Sequence, residues 1–185
     1  MTTRCFWVND SQKYIDYHDK EWGEPVFDDA ILFEFLILET FQAGLSWITI
    51  LNKRENFRKA FDHFDYTKIA AYSESKYETL LLDAGIIRNK LKIRSAITNA
   101  QLFMKLQKEF GSFSDFIWSY VQGKPILNNF HTREEVPATT ALSDTISKDL
   151  KKRGFKFVGS TIIYAYMQAV GMVNDHTTDC FKYPK

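Results

Sequence analysis

Two cysteines, four prolines and eight glycines in 185 residues exclude several classes of protein at once. So few cysteines cannot build a disulfide framework, and so little proline and glycine argues against a collagen-like or low-complexity chain. No stretch approaches the ~20 uncharged apolar residues that span a bilayer, and Met1 to Trp7 lacks the apolar segment of an export signal. No membrane association is expected. A cytoplasmic location follows as the expectation, with Cys5 and Cys180 reduced rather than paired. A net charge of +1 also lacks the strong basic excess common in nucleic-acid-binding domains. What the chain does have is 45% hydrophobic and 16% aromatic residues, enough for one domain spanning residues 1–185, or two lobes sharing one core.

The small net charge conceals an asymmetry. Residues 9 to 39 hold nine acids against two bases, Lys13 and Lys20, so the remainder of the chain is basic. Arg88, Lys90, Lys92 and Arg94 form one cluster, and Lys148, Lys151, Lys152, Arg153 and Lys156 form another. Such runs are commonly solvated helix faces, yet they are also the form a phosphate-contacting face takes.

The pattern reads as all-α, with eight or more helices. Asp28 or Asp29 caps an apolar helix from Ile31 that runs to Gly44, and Asp65 and Ser73 cap two short helices. Asn89 to Phe110 carries Leu91, Ile93, Ile97, Ala100, Phe103 and Leu106 at a spacing near 3.6, and Gly111 stops it. Gln122 to Thr140 reads as a connecting loop. Ser143 to Arg153 and Thr161 to Val170 are helical, and only Phe155 to Val158 hints at strand alternation.

The stretch from Leu38 to Trp47 organises the rest. Glu39 emerges from a run too apolar for a surface helix, Gly44 can adopt the left-handed conformation, and Ser46 can cap a new helix at Trp47. A corner with a carboxylate, an amide and a large aromatic within nine residues can line a pocket; equally, Glu39 can be an exposed helix end and Trp47 a core filler.

Cys5 and His18 near the start and His176 and Cys180 near the end make a Cys2His2 set, the composition of a closed zinc site. On one helix, His176 and Cys180 at i and i+4 would face the same ion. Spacing alone leaves open that the four are merely scattered. Leu150 to Ile163 reads as helix, glycine-containing hairpin, helix. Gly159 would admit a phosphate, with the amides of Ser160 and Thr161 pointing at it and lysines such as Lys156 supplying charge, though such a glycine also serves as a plain turn.

Taken together, Cys5, Tyr14 to Asp19, Glu21-Trp22-Gly23, Leu38-Glu39, Gln42 to Trp47, Asp83 to Arg88, Leu150 to Gly159, Asn174-Asp175-His176 and Cys180 resemble the 3-methyladenine DNA glycosylase I (Tag) family over essentially the whole chain. The resemblance implies a helix-hairpin-helix fold whose termini are clasped by one structural Zn2+ on Cys5, His18, His176 and Cys180. It implies a base pocket of Glu39, Trp47, Tyr17, Tyr14, Trp22 and Trp7, with Glu39 as the catalytic or recognition carboxylate. Gly44 and Leu45 would fill the gap left by a flipped nucleotide. The expected activity is hydrolytic release of 3-methyladenine from double-stranded alkylated DNA by a monomer in base excision repair. The alternative is a catalytically inactive protein that binds damaged DNA.

Overall fold

A computed structural model describes residues 2–184. Nine α-helices carry most of the described chain: α1 (Gln12–Lys20), α2 (Asp29–Gln42), α3 (Trp47–Ala60), α4 (Tyr66–Ala70), α5 (Glu74–Leu82), α6 (Lys90–Phe110), α7 (Phe113–Ser119), α8 (Ala141–Lys152) and α9 (Ser160–Ala169). Two short 3-10 turns, Asp62–Phe64 and Arg133–Glu135, complete the helical part.

Helix α2 is central because its sequence is apolar nearly all round, and a helix without a polar face has to be covered on every side. Leu32, Phe33 and every residue from Phe35 to Phe41 are buried, Glu39 and Thr40 included. Helices α3, α6, α7 and α9 pack against it. Aromatic contacts join these layers, with Phe33 edge-on to Phe103 at 5.0 Å and Phe41 edge-on to Phe57 at 4.8 Å. The start of α2 is fixed twice. Asp28 accepts from the Ile31 amide, and Asp29 accepts from the amides of Phe113 and Ser114 at the start of α7. Asp65 and Ser73 cap α4 and α5 as their positions predict, and Asn89, read as the first residue of its helix, is the cap of α6.

Several expectations change. Between Gln122 and Thr140 the chain is not all loop: β1 (Ile126–Leu127) pairs in parallel with β2 (Val173–Asn174), Ile126 opposite Val173. Two residues are too few for alternation to show in sequence; the pairing exists because the long connection is carried back against the segment after α9. Phe155 to Val158, by contrast, is no strand, in keeping with an alternation of only four residues. Leu91 is 71% exposed despite its helical spacing, because the first turn of α6 turns Lys92 and Ile93 inward and leaves Leu91 on the outer side. Ser46 stands at the head of α3 without capping it; its hydroxyl pairs with that of Thr49 instead.

Beyond α9 the chain turns at Gly171, with φ +72°, where an added Cβ would lie 2.4 Å from the carbonyl carbon of Glu24. This close approach docks the C-terminal segment beside the loop after α1, where Val26 donates to the Val170 carbonyl and Gly23 to that of Gln168. The two ends of the chain meet there as well, through the Phe181 amide and the Thr3 carbonyl. No helix among the described residues is long and apolar enough to cross a membrane.

Candidate active site and metal centre

The cavity that this packing leaves, of about 340 Å³, is lined by residues from two distant parts of the chain, 6 to 47 and 136 to 175. Helix α1 contributes Tyr14 and Tyr17, one turn apart, and the turn after it delivers Trp22; Trp7 comes from the N-terminal segment. Helix α2 supplies Glu39 and Gln42, and α3 begins with Trp47. Across the cavity, α9 presents Thr161, Tyr164, Ala165 and Gln168 at the i, i+3, i+4, i+7 positions of one helix face. Asp175 and the loop residues Val136, Pro137 and Ala138 close the remaining side.

The rings are held by one another. Trp7 stands edge-on to Tyr14 at 5.5 Å and to Trp22 at 5.1 Å, and Tyr17 lies 5.5 Å from Trp47. The Tyr14 hydroxyl accepts from the Ile48 amide, one of the α3 N–H groups without a partner inside the helix, and so ties α1 to the first turn of α3.

Three buried polar atoms in this lining lack a hydrogen-bond partner among the described residues: Glu39 Oε2, Trp7 Nε1 and Trp47 Nε1. An unpaired buried polar group costs about 1–3 kcal/mol, so three at one cavity point to a ligand that satisfies them. Glu39 is 3% exposed, and desolvation pushes its carboxyl up from the usual range to about 8. The site therefore combines two indole donors, one carboxyl and flat aromatic walls. That set suits a planar heteroaromatic ring, and a cationic ring above all, because a cation both meets the aromatic faces and restores the charge on Glu39.

A second cluster lies directly behind the pocket. Cys5, His18, His176 and Cys180 are all buried, and their ligating atoms lie within 4.8 Å of one another. Cys5 Sγ is 3.4 Å and Cys180 Sγ 3.6 Å from His176 Nδ1, and Cys180 Sγ is 3.4 Å from His18 Nε2. Bond lengths of 2.3 and 2.0–2.1 Å in a tetrahedral zinc site place S and N about 3.6 Å apart, close to these separations. The outward ring nitrogens are already engaged: His18 Nδ1 meets Asp19 at 2.7 Å, and His176 Nε2 meets the Trp22 carbonyl at 3.2 Å. Donating outward leaves each imidazole a lone pair facing inward, as a metal ligand requires. Without a cation, burial holds the Cys5 thiol up at about 12 and the His176 imidazole down at about 4. Two cysteine sulfurs and two imidazole nitrogens converging in a buried space can hold a metal ion.

The convergence itself differs from expectation. His176 and Cys180 do not share a helix; the chain after β2 is a turn in which the Cys180 amide bonds to the Thr177 carbonyl. A turn, not helical periodicity, points both inward.

The sequence from residue 7 to 183 matches the family model described as methyladenine glycosylase. The chain belongs to the methyladenine glycosylase family. It is 51% identical over 181 residues to DNA-3-methyladenine glycosylase 1 of Escherichia coli (strain K12), covering 98% of this chain and 97% of that one. A crystal structure of 3-methyladenine DNA glycosylase I (TAG) superposes with a TM-score of 0.96 at 50% identity, covering 98% of this chain and 100% of that one. The Staphylococcus aureus TAG, solved to show the structural basis of 3-methyladenine recognition, superposes with a TM-score of 0.95 at 35% identity, covering 98% and 97%.

In this glycosylase chain the remaining candidate residues lie on two features. Gly44 and Leu45 form the α2–α3 corner, with Gly44 at φ +79° and nothing within 4 Å of a Cβ built there, and with Leu45 exposed. Lys156, Gly159, Ser160 and Thr161 lie on the turn between α8 and α9 and the first turn of α9. Gly159 occupies the N-cap with no side chain to cover the helix end. Asn99 brackets the turn, donating to the Lys156 carbonyl at 3.0 Å and accepting from its amide at 2.9 Å.

Sequence reading brought the aromatic residues and Glu39 to one pocket but did not find its far wall. Tyr164, Gln168 and Val136 to Ala138 looked like ordinary helix and loop residues. The one available signal was the tyrosine and glutamine on the otherwise apolar α9. Asp175 is buried and accepts from Asn128 at 2.6 Å, Tyr164 at 2.6 Å and Gln168 at 2.8 Å, and it takes no part in the metal cluster.

Proposed function

We propose that the protein is a monofunctional DNA glycosylase that takes a 3-methyladenine nucleotide out of duplex DNA and hydrolyses its N-glycosidic bond. The observation that carries this is the unpaired Glu39 carboxyl set among tryptophan and tyrosine rings in a cavity of about 340 Å³. A duplex hides its bases, so the nucleotide must be flipped out at a cost of a few kcal/mol. Methylation at N3 makes the adenine ring cationic, and that cation gains about 0.5–2 kcal/mol from an aromatic face. It also draws Glu39 into its carboxylate form, which accepts from the exocyclic amine. Neutral adenine gains neither, and this is the basis of selectivity.

Departure of a cationic base neutralises its ring, so no strong general acid is required. Water adds to C1′ and gives up one proton, the C1′–N bond breaks with its electron pair going to the base, and the products are a neutral free base and an abasic sugar. Contacts that hold the cationic base equally before and during bond cleavage strengthen binding without speeding the chemical step. Glu39 is accordingly first a recognition residue. Tyr14, Tyr17, Trp7, Trp22 and Trp47 form the base pocket, and Asp175, occupied by three donors, orders the wall opposite.

The α8–α9 unit is read as a helix-hairpin-helix that takes a DNA phosphate at Gly159, Ser160 and Thr161, with Lys156 supplying charge. At the α2–α3 corner, Leu45 enters the gap left by the flipped nucleotide. One structural Zn2+ on Cys5, His18, His176 and Cys180 would clasp the two ends of the chain; four protein ligands leave it no open position for water. Through the His176 to Trp22 hydrogen bond, that clasp also fixes one wall of the pocket. Residues 1–185 are read as one glycosylase domain, acting as a monomer in the cytoplasm.

The deciding experiment is chromatography of the bases freed from methylated duplex DNA. Release of 3-methyladenine by the wild type, much reduced in Glu39→Gln, supports the proposal. Tight binding of the duplex with no base released refutes it in favour of a damage-binding protein.

A further inference from the structure

Lys92 is 6% exposed and has no carboxylate within salt-bridge distance among the described residues. A buried ammonium without a counter-charge is expensive unless other groups replace its hydration. Here they are backbone carbonyls: Nζ donates to Phe41 O at 2.8 Å and Ala43 O at 2.6 Å.

These carbonyls belong to the end of α2 and the residue that follows it. The last turn of α2 contains no basic residue, so nothing of its own sequence complements the negative end of the helix dipole. Lys92 supplies that charge from the first turn of α6, some fifty residues later. Two more carbonyls of the corner are taken within it: the Leu45 amide donates to Gln42 O at 2.7 Å, and Gln42 Nε2 donates to Leu45 O at 2.8 Å. Among these bonds only the lysine anchors the corner to another element. Open space surrounds Gly44 and Ser46 gives no side-chain cap, so on the α2 side of the corner the lysine is the tie to another element; on the α3 side the tie is the Tyr14 hydroxyl on the Ile48 amide.

We propose that Lys92 is a positioning residue for DNA engagement, its ammonium fixing the end of α2 so that Leu45 is held ready to enter the duplex. The proposal rests on the glycosylase reading above, in which the corner fills the gap behind a flipped nucleotide. Lys92 touches neither base nor sugar; it limits the conformations of a corner whose wandering would otherwise be an entropic penalty on binding. Burial also lowers the Lys92 pKa, which agrees with an ammonium held by carbonyls alone.

The test is a double-mutant cycle between Lys92→Met and Leu45→Ala. Affinity is measured by fluorescence anisotropy on a duplex carrying a tetrahydrofuran abasic analogue, and affinity for free 3-methyladenine by tryptophan fluorescence. Lys92→Met should weaken duplex binding about tenfold in the wild-type background and less than about twofold in the Leu45→Ala background. Free-base affinity should stay within about twofold, which shows that the variant is folded with its pocket intact; the near-absence of an effect in the Leu45→Ala background is what a merely structural role would not give. Additive losses on the duplex, or a parallel fall in free-base affinity, overturn the proposal. If Lys92→Met does not fold, Lys92→Gln, which keeps a shorter donor, goes through the same cycle under the same criteria. The abasic duplex is bound without chemistry, so failure of the wild type to release 3-methyladenine would sink the glycosylase reading separately.

Discussion

Replacing Glu39 by glutamine should stabilise the free protein while removing its capacity to select a cationic base, and the size of the gain should depend on pH. Glu39 is buried, one carboxyl oxygen lacks a partner, and its pKa is raised from 4.5 to about 8. The folded protein thus holds a proton on Glu39 that the unfolded chain has already released. For a carboxyl shifted upward, folding stability is undiminished below pH ~4.5 and falls by about 1.4 kcal/mol per pH unit until pH ~8. Between about pH 5 and about pH 8 the wild type should therefore lose roughly 3 kcal/mol that the non-titrating glutamine variant keeps. In a chain of this size, that corresponds to about 6–12 °C in Tm. Denaturant unfolding of both proteins across this range measures it, and subtracting one curve from the other removes titrations common to both, the Cys/His cluster included. A difference that stays flat with pH would mean that Glu39 is ionised in the empty pocket, and the desolvation argument for cation selectivity would fail with it.

With the proposed zinc on Cys5, His18, His176 and Cys180, removal of the ion should destabilise the protein and loosen both ends of the chain together. A strong chelator is expected to lower Tm and to release about one zinc per chain; metal loss with an unchanged Tm would exclude a structural clasp. Asp175→Asn sets an amide among three donors and should cost about 1–3 kcal/mol of stability, read by denaturant unfolding. Gly171→Ala, whose Cβ would meet the backbone at Glu24 in a left-handed conformation, should cost about 3 kcal/mol or more. An unchanged midpoint would show that the C-terminal segment is free to shift. Lys156→Ala should weaken duplex binding for any sequence and reduce the slope of log affinity against log salt by about 0.9 if one phosphate contact is lost.

Local chemistry made much of the fold legible. Asp28, Asp65, Ser73 and Asn89 announce helix starts because their short side chains accept from amides within the next three residues. The unbroken apolar run of α2 marks a central helix, and so makes Glu39 conspicuous. Where the pattern misled, tertiary context had overridden a local rule. Leu91 has the right spacing yet no neighbouring layer to cover it, and Ser46 found a hydroxyl partner within its own turn. The charge clusters are partly spent within the protein: Arg94 pairs with Glu74 and lies 3.6 Å from the Tyr77 ring, Arg153 pairs with Asp149 and Glu109, and Lys92 turns inward.

The sequence by itself determined what depends on residue type and short spacing: helices and their caps, a carboxylate in an apolar run beside a glycine corner, and a stock of two thiols and four imidazoles free of any disulfide framework. Its resemblance to a known family added the grouping of these residues into a pocket and a clasp. Only the tertiary structure decided which distant residues share one surface. Tyr164 and Gln168 face Trp7 across the cavity, and β1 pairs with β2. His176 meets Cys180 through a turn, and the α6 lysine finds the end of α2. The reason is that hydrogen bonding and desolvation act through space, and no periodicity within a helix encodes the distance from its face to a partner fifty or a hundred and fifty residues away.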